Sequence, residues 1–257
     1  MLCAGIDAGS RTIKAVLLDA DSLAVVAKGC VAQGIDHDAL ATKLFNQLLN
    51  ANGLRRENVR RIVATGYTRN GIRLADETVT EITCHARGVR QVAPHARMVV
   101  EIGGQDSKLL WLSSEGGVQD FAMNDRCAAG TGRFLEIVAA RLEVGLSGLE
   151  ALARQSRQPA AISSMCVVFA ETEIIGLLSS GVPPADIVAG VQAAIASRIA
   201  AMAGRKITPP VLFTGGVALI PGMADALSKV LGQPVAIAPD PQMTGALGAA
   251  ILAARPK

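Results

Sequence analysis

The chain has 257 residues, of which 50% are hydrophobic, 18% are charged and 3% are aromatic. This length suits one large domain or two smaller lobes with an aliphatic core, and the scarcity of aromatic residues excludes a base-stacking surface for single-stranded nucleic acid. The formal net charge of +3 is too small to indicate a polyanionic partner. The N-terminus does not resemble a signal peptide, and Gln192, Ser197 and Arg198 interrupt the most apolar stretch. We therefore expect a cytoplasmic protein that binds neither nucleic acid nor membrane.

Two β-meanders are predicted in chain order, over residues 2–29 and 97–124. Each places a carboxylate at the end of its first strand and a glycine two residues later: Asp7 and Gly9, then Glu101 and Gly103. Helices are expected near 37–51, 77–92, 129–143, 148–156, 167–180, 185–204, 222–231 and 244–255. We therefore predict an α/β protein with two similar lobes, residues 1–95 together with a C-terminal helix in 244–257, and residues 96–243.

The first meander has the composition of a phosphate-binding loop. Glycine lets backbone amides approach an anion closely, which suits Gly9. Asp7 would act through Mg²⁺ and its bound waters, because magnesium prefers carboxylate and water ligands. Ser10 is placed to donate to a phosphate, and Lys14 adds positive charge.

The second meander offers an equivalent loop at Gly103 and Gly104. Gln105 or Asp106, which follow, would orient an attacking water. Two such loops acting together would hold a triphosphate. The alternative for either loop taken alone is a tight hairpin turn with no ligand.

A third signal follows a predicted strand at "VLFTGGVALIPG", where Gly215 and Gly216 would serve the adenosine end of the nucleotide. The P-loop and dinucleotide-binding fingerprints are both absent from the sequence. The order of two matched meanders, TGG and a small-residue helix resembles the two-lobed ATPases that include actin, Hsp70 and the sugar kinases.

Two of the five cysteines, Cys127 and Cys166, each precede a predicted helix. The free amides and the dipole of a helix N-terminus favour a thiolate there, and serines before Cys166 are candidate caps. A cubane iron–sulfur cluster commonly takes four thiolates, so two chains related by a two-fold axis would complete a site. The alternative is a pair of buried thiols, and we expect Cys3, Cys30 and Cys84 to be packing residues.

Eight segments together resemble the activator (archerase) component of 2-hydroxyacyl-CoA dehydratases and the related ATPase subunits of benzoyl-CoA reductases. They are "GIDAGSRTIK", "ATGYTRN", "EITCHARG", "EIGGQDSK", "MNDRCAAGTGRFLE", "ISSMCVVFAETEII", "TGGVA" and "GALGAA". The resemblance covers nearly the whole chain, and the two cysteine motifs are specific to this group.

The resemblance implies an oxygen-sensitive homodimer with one [4Fe–4S] cluster, ligated by Cys127 and Cys166 of each chain. It implies ATP hydrolysis, leaving ADP, coupled to the transfer of one low-potential electron to an iron–sulfur dehydratase or reductase. A ferredoxin or flavodoxin would supply the electron. One position departs from the family pattern, because Glu101 stands where the second loop usually has Asp, which puts its contact with Mg²⁺ in question.

Two other functions remain open from the residues alone. A small-molecule kinase on the same fold would need a base near the γ-phosphate and a sugar pocket. A nucleotide-switched binding module would use the cysteines only for packing. We also expect His37, His85 and His95, which lack metal-ligand spacing, to have surface or packing roles.

Overall fold

The computed structural model describes residues 1–163 and 166–255. It divides into two compact units. The first contains residues 1–95, 112–119 and the C-terminal segment from 242, and the second contains residues 96–111 and 120–241. The turn at 112–119, which lies in the middle of the second meander, groups with the first unit.

Each unit is built on one five-stranded mixed sheet. The strands are β1 Leu2–Ala8, β2 Thr12–Asp19, β3 Val25–Ala32, β4 Val59–Thr65, β5 Glu77–Thr78, β6 Met98–Ile102, β7 Ser107–Leu112, β8 Val118–Asn124, β9 Val211–Thr214 and β10 Val235–Ile237. The two sheets have the orders β3-β2-β1-β4-β5 and β10-β9-β6-β7-β8. The first strand of each predicted meander, β1 or β6, is central in its sheet, which explains why both strands are apolar and buried.

The strand directions follow the meander pattern. In the first sheet β1, β2 and β3 are antiparallel neighbours, whereas β4 and then β5 are added in parallel. In the second sheet β6 is antiparallel to β7 and parallel to β9, and β10 continues in parallel. The carboxyl ends of β1 and β4 therefore lie side by side, as do those of β6 and β9.

Eight α-helices surround the sheets in the described residues. They are α1 His37–Ala51, α2 Glu81–Val92, α3 Gly132–Arg141, α4 Gly148–Ala153, α5 Val167–Ser179, α6 Pro184–Ala203, α7 Met223–Leu231 and α8 Thr244–Ala254. Short 3-10 helices occur at Arg56–Asn58, Arg69–Gly71, Ala128–Gly130, Gly216–Leu219 and Pro241–Met243.

Two helices begin later than predicted, each for a local reason. The amide of Val79 donates to Ala64 O at 2.9 Å, so residues 77–79 extend the first sheet, and Thr80 then caps α2. The predicted helix 129–143 is a 3-10 turn followed by α3. Thr131, with extended backbone (φ −138°, ψ 172°), separates the two and caps α3 through its side chain.

The C-terminal helix α8 packs on the first sheet and on α2. Val16 and Leu18 of β2 share a buried cluster with Ala246 and Ala250. A methyl group on Gly248 would lie 1.7 Å from the carbonyl oxygen of Cys84, so only glycine allows α8 to approach α2 this closely. The opposite face of the sheet packs against α1.

One described helix, α6, is long and apolar enough to cross a membrane by length and composition alone. Half of its apolar window is buried within the protein, and Ile187, Val191 and Ile195 belong to the core of the second unit. A core helix passes the same test, and the polar residues Gln192 and Arg198 fit that role.

Candidate functional site

The first loop is built around an ion pair at the end of β1. Asp7 is buried and lies opposite Lys14 in the β1–β2 register. Lys14 Nζ donates to Asp7 Oδ2 at 3.1 Å. A methyl group on Gly9 would lie 3.2 Å from Lys14 Nζ, so the glycine leaves room for the lysine head group beside the loop. The two residues that sequence analysis predicted for phosphate and Mg²⁺ therefore lie together.

Two polar side chains that the sequence analysis missed hold this loop in place. Gln33 Nε2 donates to Gly9 O at 2.8 Å, and its backbone amide donates to Arg11 O at 2.9 Å. Thr68 donates to Ala8 O through both its amide (2.9 Å) and its hydroxyl (3.1 Å). The loop carbonyls are thus held by the scaffold, which favours a loop that presents amides to an anion. Ser10 is half-buried within this loop.

The structure places His85 next to this loop, inside the first unit. His85 is buried, and its Nδ1 lies 3.0 Å from Thr244 Oγ1 at the start of α8. The adjoining Gly245 approaches Asp7, whose Oδ2 would be 3.0 Å from a methyl group there. The expected packing role of His85 therefore includes a polar contact beside the carboxylate. Separately, His37 Nδ1 is buried with no hydrogen-bond partner among the described residues.

The second loop contains a lysine shared by two carboxylates. Lys108 Nζ lies 3.1 Å from Glu101 Oε2 and 2.7 Å from Asp106 Oδ2. The Lys108 side chain is only 2% exposed. This cluster holds one negative charge more than its lysine balances, whereas Asp7 and Lys14 balance each other. Such a cluster suits a bound cation better than a second anion.

The remaining residues of the second loop differ in packing and exposure. A methyl group on Gly103 would lie 2.7 Å from Asp106 Oδ1, so the turn is tight. The neighbouring Gly104 accepts a hydrogen bond from Arg133 N at 2.8 Å. Gln105 is exposed at the tip of the turn. The loop therefore presents Gln105 to solvent while Asp106 is held by Lys108.

The third predicted segment adjoins the second loop. Gly215 follows β9 with a left-handed φ of 90°, and a methyl group there would lie 2.7 Å from Glu101 Oε1. Gly216 is exposed and begins a 3-10 helix. Thr214, opposite Glu101 in the β6–β9 register, is fully buried, and its hydroxyl has no hydrogen-bond partner in the described part of the chain. Gly215 therefore lies directly beside the Glu101 carboxylate of the second loop.

Cys127 does not directly precede an α-helix, contrary to prediction. It caps the three-residue 3-10 helix Ala128–Gly130, and α3 begins five residues after it. A 3-10 turn this short contributes little dipole, so the expected support for a thiolate is weaker here. Instead, Asn124 fixes the residue, because its Oδ1 accepts from Cys127 N at 3.0 Å and its Nδ2 donates to Cys127 O at 2.8 Å.

Cys166 occupies the predicted position at the N-cap of α5, and it is exposed. Ser163 does not cap this helix, contrary to prediction, because its amide and its hydroxyl both donate to Glu173 Oε1 at 2.8 Å. Ser164, the other candidate cap, lies outside the described residues. Cys166 therefore lies at a helix N-terminus, as predicted.

Of the other three cysteines, two are buried and one is exposed. Cys3 and Cys84 are fully buried, as expected of packing residues. Burial raises the pKa of the Cys84 thiol to about 12, so this side chain stays protonated at neutral pH. The packing role predicted for Cys30 is wrong, because this residue lies on the edge strand β3 and is exposed.

Among the described residues of one chain, no group of three or more His, Cys, Asp or Glu side chains has the arrangement of a metal site. Cys127 is half-buried and Cys166 is exposed, both in the second unit. Helix α3, which begins five residues after Cys127, and helix α5, which Cys166 precedes, share one core and are joined by an ion pair between Arg141 and Glu171. Two thiols per chain fit half of a four-thiolate site, which a second chain would complete.

Comparison with solved structures assigns the fold. An activator of 2-hydroxyisocaproyl-CoA dehydratase from Clostridium difficile, solved with bound ADPNP, has a TM-score of 0.93 and 38% identity, covering 99% of this chain and 94% of that one. The (R)-2-hydroxyglutaryl-CoA dehydratase component A of Acidaminococcus fermentans has a TM-score of 0.94 and 40% identity, covering 99% and 98%. A ROK family glucokinase from Streptomyces griseus, 15% identical with a TM-score of 0.59, shares the fold alone. The chain has the two-lobed, actin-like ATPase fold.

Sequence comparison gives the family. The chain is 43% identical to the activator of lactoyl-CoA dehydratase of Anaerotignum propionicum over 254 residues, which are 98% of this chain and 97% of the relative. The model of the BadF/BadG/BcrA/BcrD ATPase family matches residues 4–253. That match spans both loops, both cysteine segments and all but the last residue of α8. The chain belongs to the BadF/BadG/BcrA/BcrD ATPase family.

Proposed function

We propose that this ATPase couples ATP hydrolysis to the transfer of one low-potential electron to an iron–sulfur enzyme that acts on an acyl-CoA. The observation that carries the proposal is the placement of Cys127 and Cys166 in the unit that also holds the second phosphate loop. Close similarity to a dehydratase activator along nearly the whole chain supports it.

For the nucleotide, we propose that the two loops take the phosphates and that Gly215 and Gly216 serve the adenosine end. Gly9, Ser10 and Lys14 of the first loop would bind phosphate, with Asp7 directed at the waters of Mg²⁺. The ion pair between Lys14 and Asp7 supports this assignment, because it orients both side chains at the loop without ligand.

For hydrolysis, we propose that the second loop positions the attacking water. Gln105 is exposed and has amide groups able to donate and accept, and Asp106 is fixed by Lys108 beside it. Gly103 and Gly104 bring their backbone close to the phosphate. The surplus negative charge of the Glu101, Asp106 and Lys108 cluster favours Mg²⁺ at this loop, even though Glu101 replaces the family's usual Asp.

For electron transfer, we propose a homodimer in which Cys127 and Cys166 of each chain hold one [4Fe–4S] cluster. Exposure of Cys166 at a helix N-cap and fixation of Cys127 by Asn124 suit thiolate ligands that meet a second chain. The cluster, when bound, supplies a site that accepts and releases one electron at low potential and that oxygen attacks. The residues of this chain hold it and present it to the acceptor.

The proposed acceptor is a dehydratase of 2-hydroxyacyl-CoA or a related acyl-CoA reductase, which would carry its own iron–sulfur cluster and bind the substrate. A ferredoxin or flavodoxin would reload the protein with electrons. With these partners, the proposed location is the cytoplasm.

The test is anaerobic purification followed by iron analysis and measurement of the oligomeric state. We expect a brown dimer with about two iron atoms per chain, because one cubane would be shared by two chains. Cys127→Ser and Cys166→Ser should each lose nearly all iron. Cys84→Ser, at a buried cysteine, is the matched control and should keep its cluster. Full iron content in either of the first two variants would overturn the ligand assignment.

A further inference from the structure

The second phosphate loop is bonded directly to the start of α3. Gly132 N donates to Gly103 O at 2.9 Å, and Arg133 N donates to Gly104 O at 2.8 Å. The first amides of a helix have no partner inside the helix and must find one elsewhere. Here they find it in the loop, so the loop carbonyls and the helix start are tied to each other.

The same helix start is hydrogen-bonded to Ala128, the residue that follows Cys127. Thr131 donates to Ala128 O through its hydroxyl at 2.7 Å and through its amide at 3.1 Å. Asn124 then holds both backbone polar groups of Cys127, at 3.0 and 2.8 Å. An unbroken path of hydrogen bonds and short chain segments therefore runs from Gly103 to the cysteine within one unit.

Gly132 is closely packed against the second loop and Val217. A methyl group on this residue would lie 3.1 Å from Gly103 O, 3.1 Å from Val217 Cγ2 and 3.4 Å from Gly104 Cα. The two 3.1 Å distances are tighter than ordinary contacts, so even a methyl group would require Gly103 or Val217 to shift by a few tenths of an ångström. A shift of the loop is transmitted to the helix start because close-packed groups move together.

We propose that residues 124–133 form a connector that sets the position of Cys127 according to the state of the second phosphate loop, with Asn124 and Gly132 as its positioning residues. The proposal rests on the proposed function and adds to it the residues that link nucleotide to thiolate. Gly132 couples the loop to the helix start, and Asn124 couples the turn to the backbone of Cys127. Neither residue touches the reacting atoms.

The test measures backbone amide hydrogen exchange of the full-length chain by mass spectrometry, with Mg²⁺ and either ADP or the non-hydrolysable analogue ADPNP. Peptides covering 123–133 report on the amides of Cys127, Thr131 and Arg133. In the wild type we expect the two nucleotides to change exchange at these amides by at least about fivefold relative to each other, the lower end of typical coupling between sites.

Variants separate the two ends of the connector. Gly132→Ala should reduce that ratio to less than about twofold throughout 124–133 while both nucleotides still bind. Gly148→Ala, where a methyl group would make ordinary contacts at 3.4 Å, is the matched control and should keep the ratio. Asn124→Ala should lose the response only at Cys127, and Asn124→Asp should restore part of it, because a carboxylate still accepts from the Cys127 amide.

The outcomes distinguish this inference from the proposed function. A wild-type ratio in Gly132→Ala, or equal exchange with ADP and ADPNP in a wild type that binds both, would overturn the connector and leave the ATPase and cluster assignments standing. A wild type that binds neither nucleotide would overturn the proposed function and the connector with it.

Discussion

Lys108 and Glu101 form an ion pair that is almost completely removed from solvent, with Nζ 3.1 Å from Oε2 and side-chain exposures of 2% and 5%. In the first unit Lys14 and Asp7 form the corresponding pair, also at 3.1 Å. In both cases the lysine on the second strand faces the carboxylate that ends the first. In each loop, the acidic residue is therefore already held in an ion pair before any ligand binds.

Removing the buried lysine should be severely destabilising. In Lys108→Met, Glu101 would be left buried without its counter-charge, and we expect a loss of about 3–5 kcal/mol of unfolding free energy. Denaturant unfolding measures it. The double variant Glu101→Gln with Lys108→Met should be more stable than Lys108→Met alone, because the uncompensated charge is gone. Lys206→Met, which breaks an exposed pair with Asp120, is the control and should cost less than about 1 kcal/mol.

Glu101→Asp should be tolerated. The shorter side chain restores the residue usual in the family, and Asp106 still pairs with Lys108. We expect ATP hydrolysis within about threefold of wild type and a stability loss of about 1 kcal/mol from the missing methylene. Steady-state ATPase assays and thermal unfolding measure the two effects. A large loss of activity in a folded variant would show that this second loop has adapted to glutamate, since Gly215 packs against that carboxylate.

Asp7→Asn should abolish hydrolysis while preserving the fold. The asparagine has the same shape, but it cannot hold Mg²⁺ waters as a carboxylate does, and we expect ATP turnover to fall by about 100-fold. Asp21→Asn, at a highly exposed turn of the same unit, is the control and should hydrolyse ATP normally. Circular dichroism and iron content should match wild type in both variants. Turnover near the wild-type rate in Asp7→Asn would place the reaction elsewhere.

The sequence was sufficient to predict the two meanders, the order of the loops and the eight helices, because turn residues and apolar periodicity carry those signals. The offset of 94 residues that relates Asp7 to Glu101 also relates Lys14 to Lys108, and this second match was open to detection. A Thr-Gly pair that occurs at 65–66 and again at 214–215 was also open to detection. Its glycines have φ of 97° and 90° and pack against the carboxylates of Asp7 and Glu101.

Other parts of the site were not predictable from local pattern. The clamp formed by Gln33 and Thr68 on the first loop joins residues that are 35 positions apart, and only the sheet order brings them together. The 3-10 turn after Cys127 arises because Thr131 satisfies Ala128 O and then caps α3, which competes with a continuous helix. Cys30 was assigned to packing by composition, but an edge strand leaves it exposed.

Thiol labelling in the native protein should separate the cysteines by environment. In cluster-free protein, exposed Cys30 and Cys166 should react with iodoacetamide, whereas buried Cys3 and Cys84 should not. Raising the pH to 10 should leave Cys84 unlabelled as long as the protein is folded, because its pKa is about 12 and only the thiolate reacts. In the anaerobic, iron-containing dimer, Cys166 should become protected and Cys30 should remain reactive. Peptide mass spectrometry measures each site, and labelling of Cys166 at an unchanged rate in iron-replete protein would argue against its role as a ligand.

Nucleotide state should control how accessible the bound iron is. The second loop, which we expect to contact the γ-phosphate, is hydrogen-bonded to the start of α3, and Thr131 links that helix start to the turn after Cys127. Nearly complete switching, from 1:99 to 99:1, requires ATP to favour one state by about 5.5 kcal/mol. Several charge-assisted hydrogen bonds to the γ-phosphate, at about 1.5–3 kcal/mol each, are sufficient, and ADP lacks them.

We therefore expect bathophenanthroline to extract iron much faster in the presence of ATP than of ADP, under anaerobic conditions, with the nucleotide-free protein close to the ADP rate. Gly148→Ala, away from the loop and the cysteines, is the control and should show the wild-type ratio of rates. Asp7→Asn separates binding from hydrolysis: if it still binds ATP, extraction should accelerate without turnover, because binding of the γ-phosphate and not its cleavage sets the exposed state. Equal extraction rates with ATP and ADP in the wild type would mean that the nucleotide does not gate the cluster, and that electron transfer is coupled to hydrolysis through a different moving part.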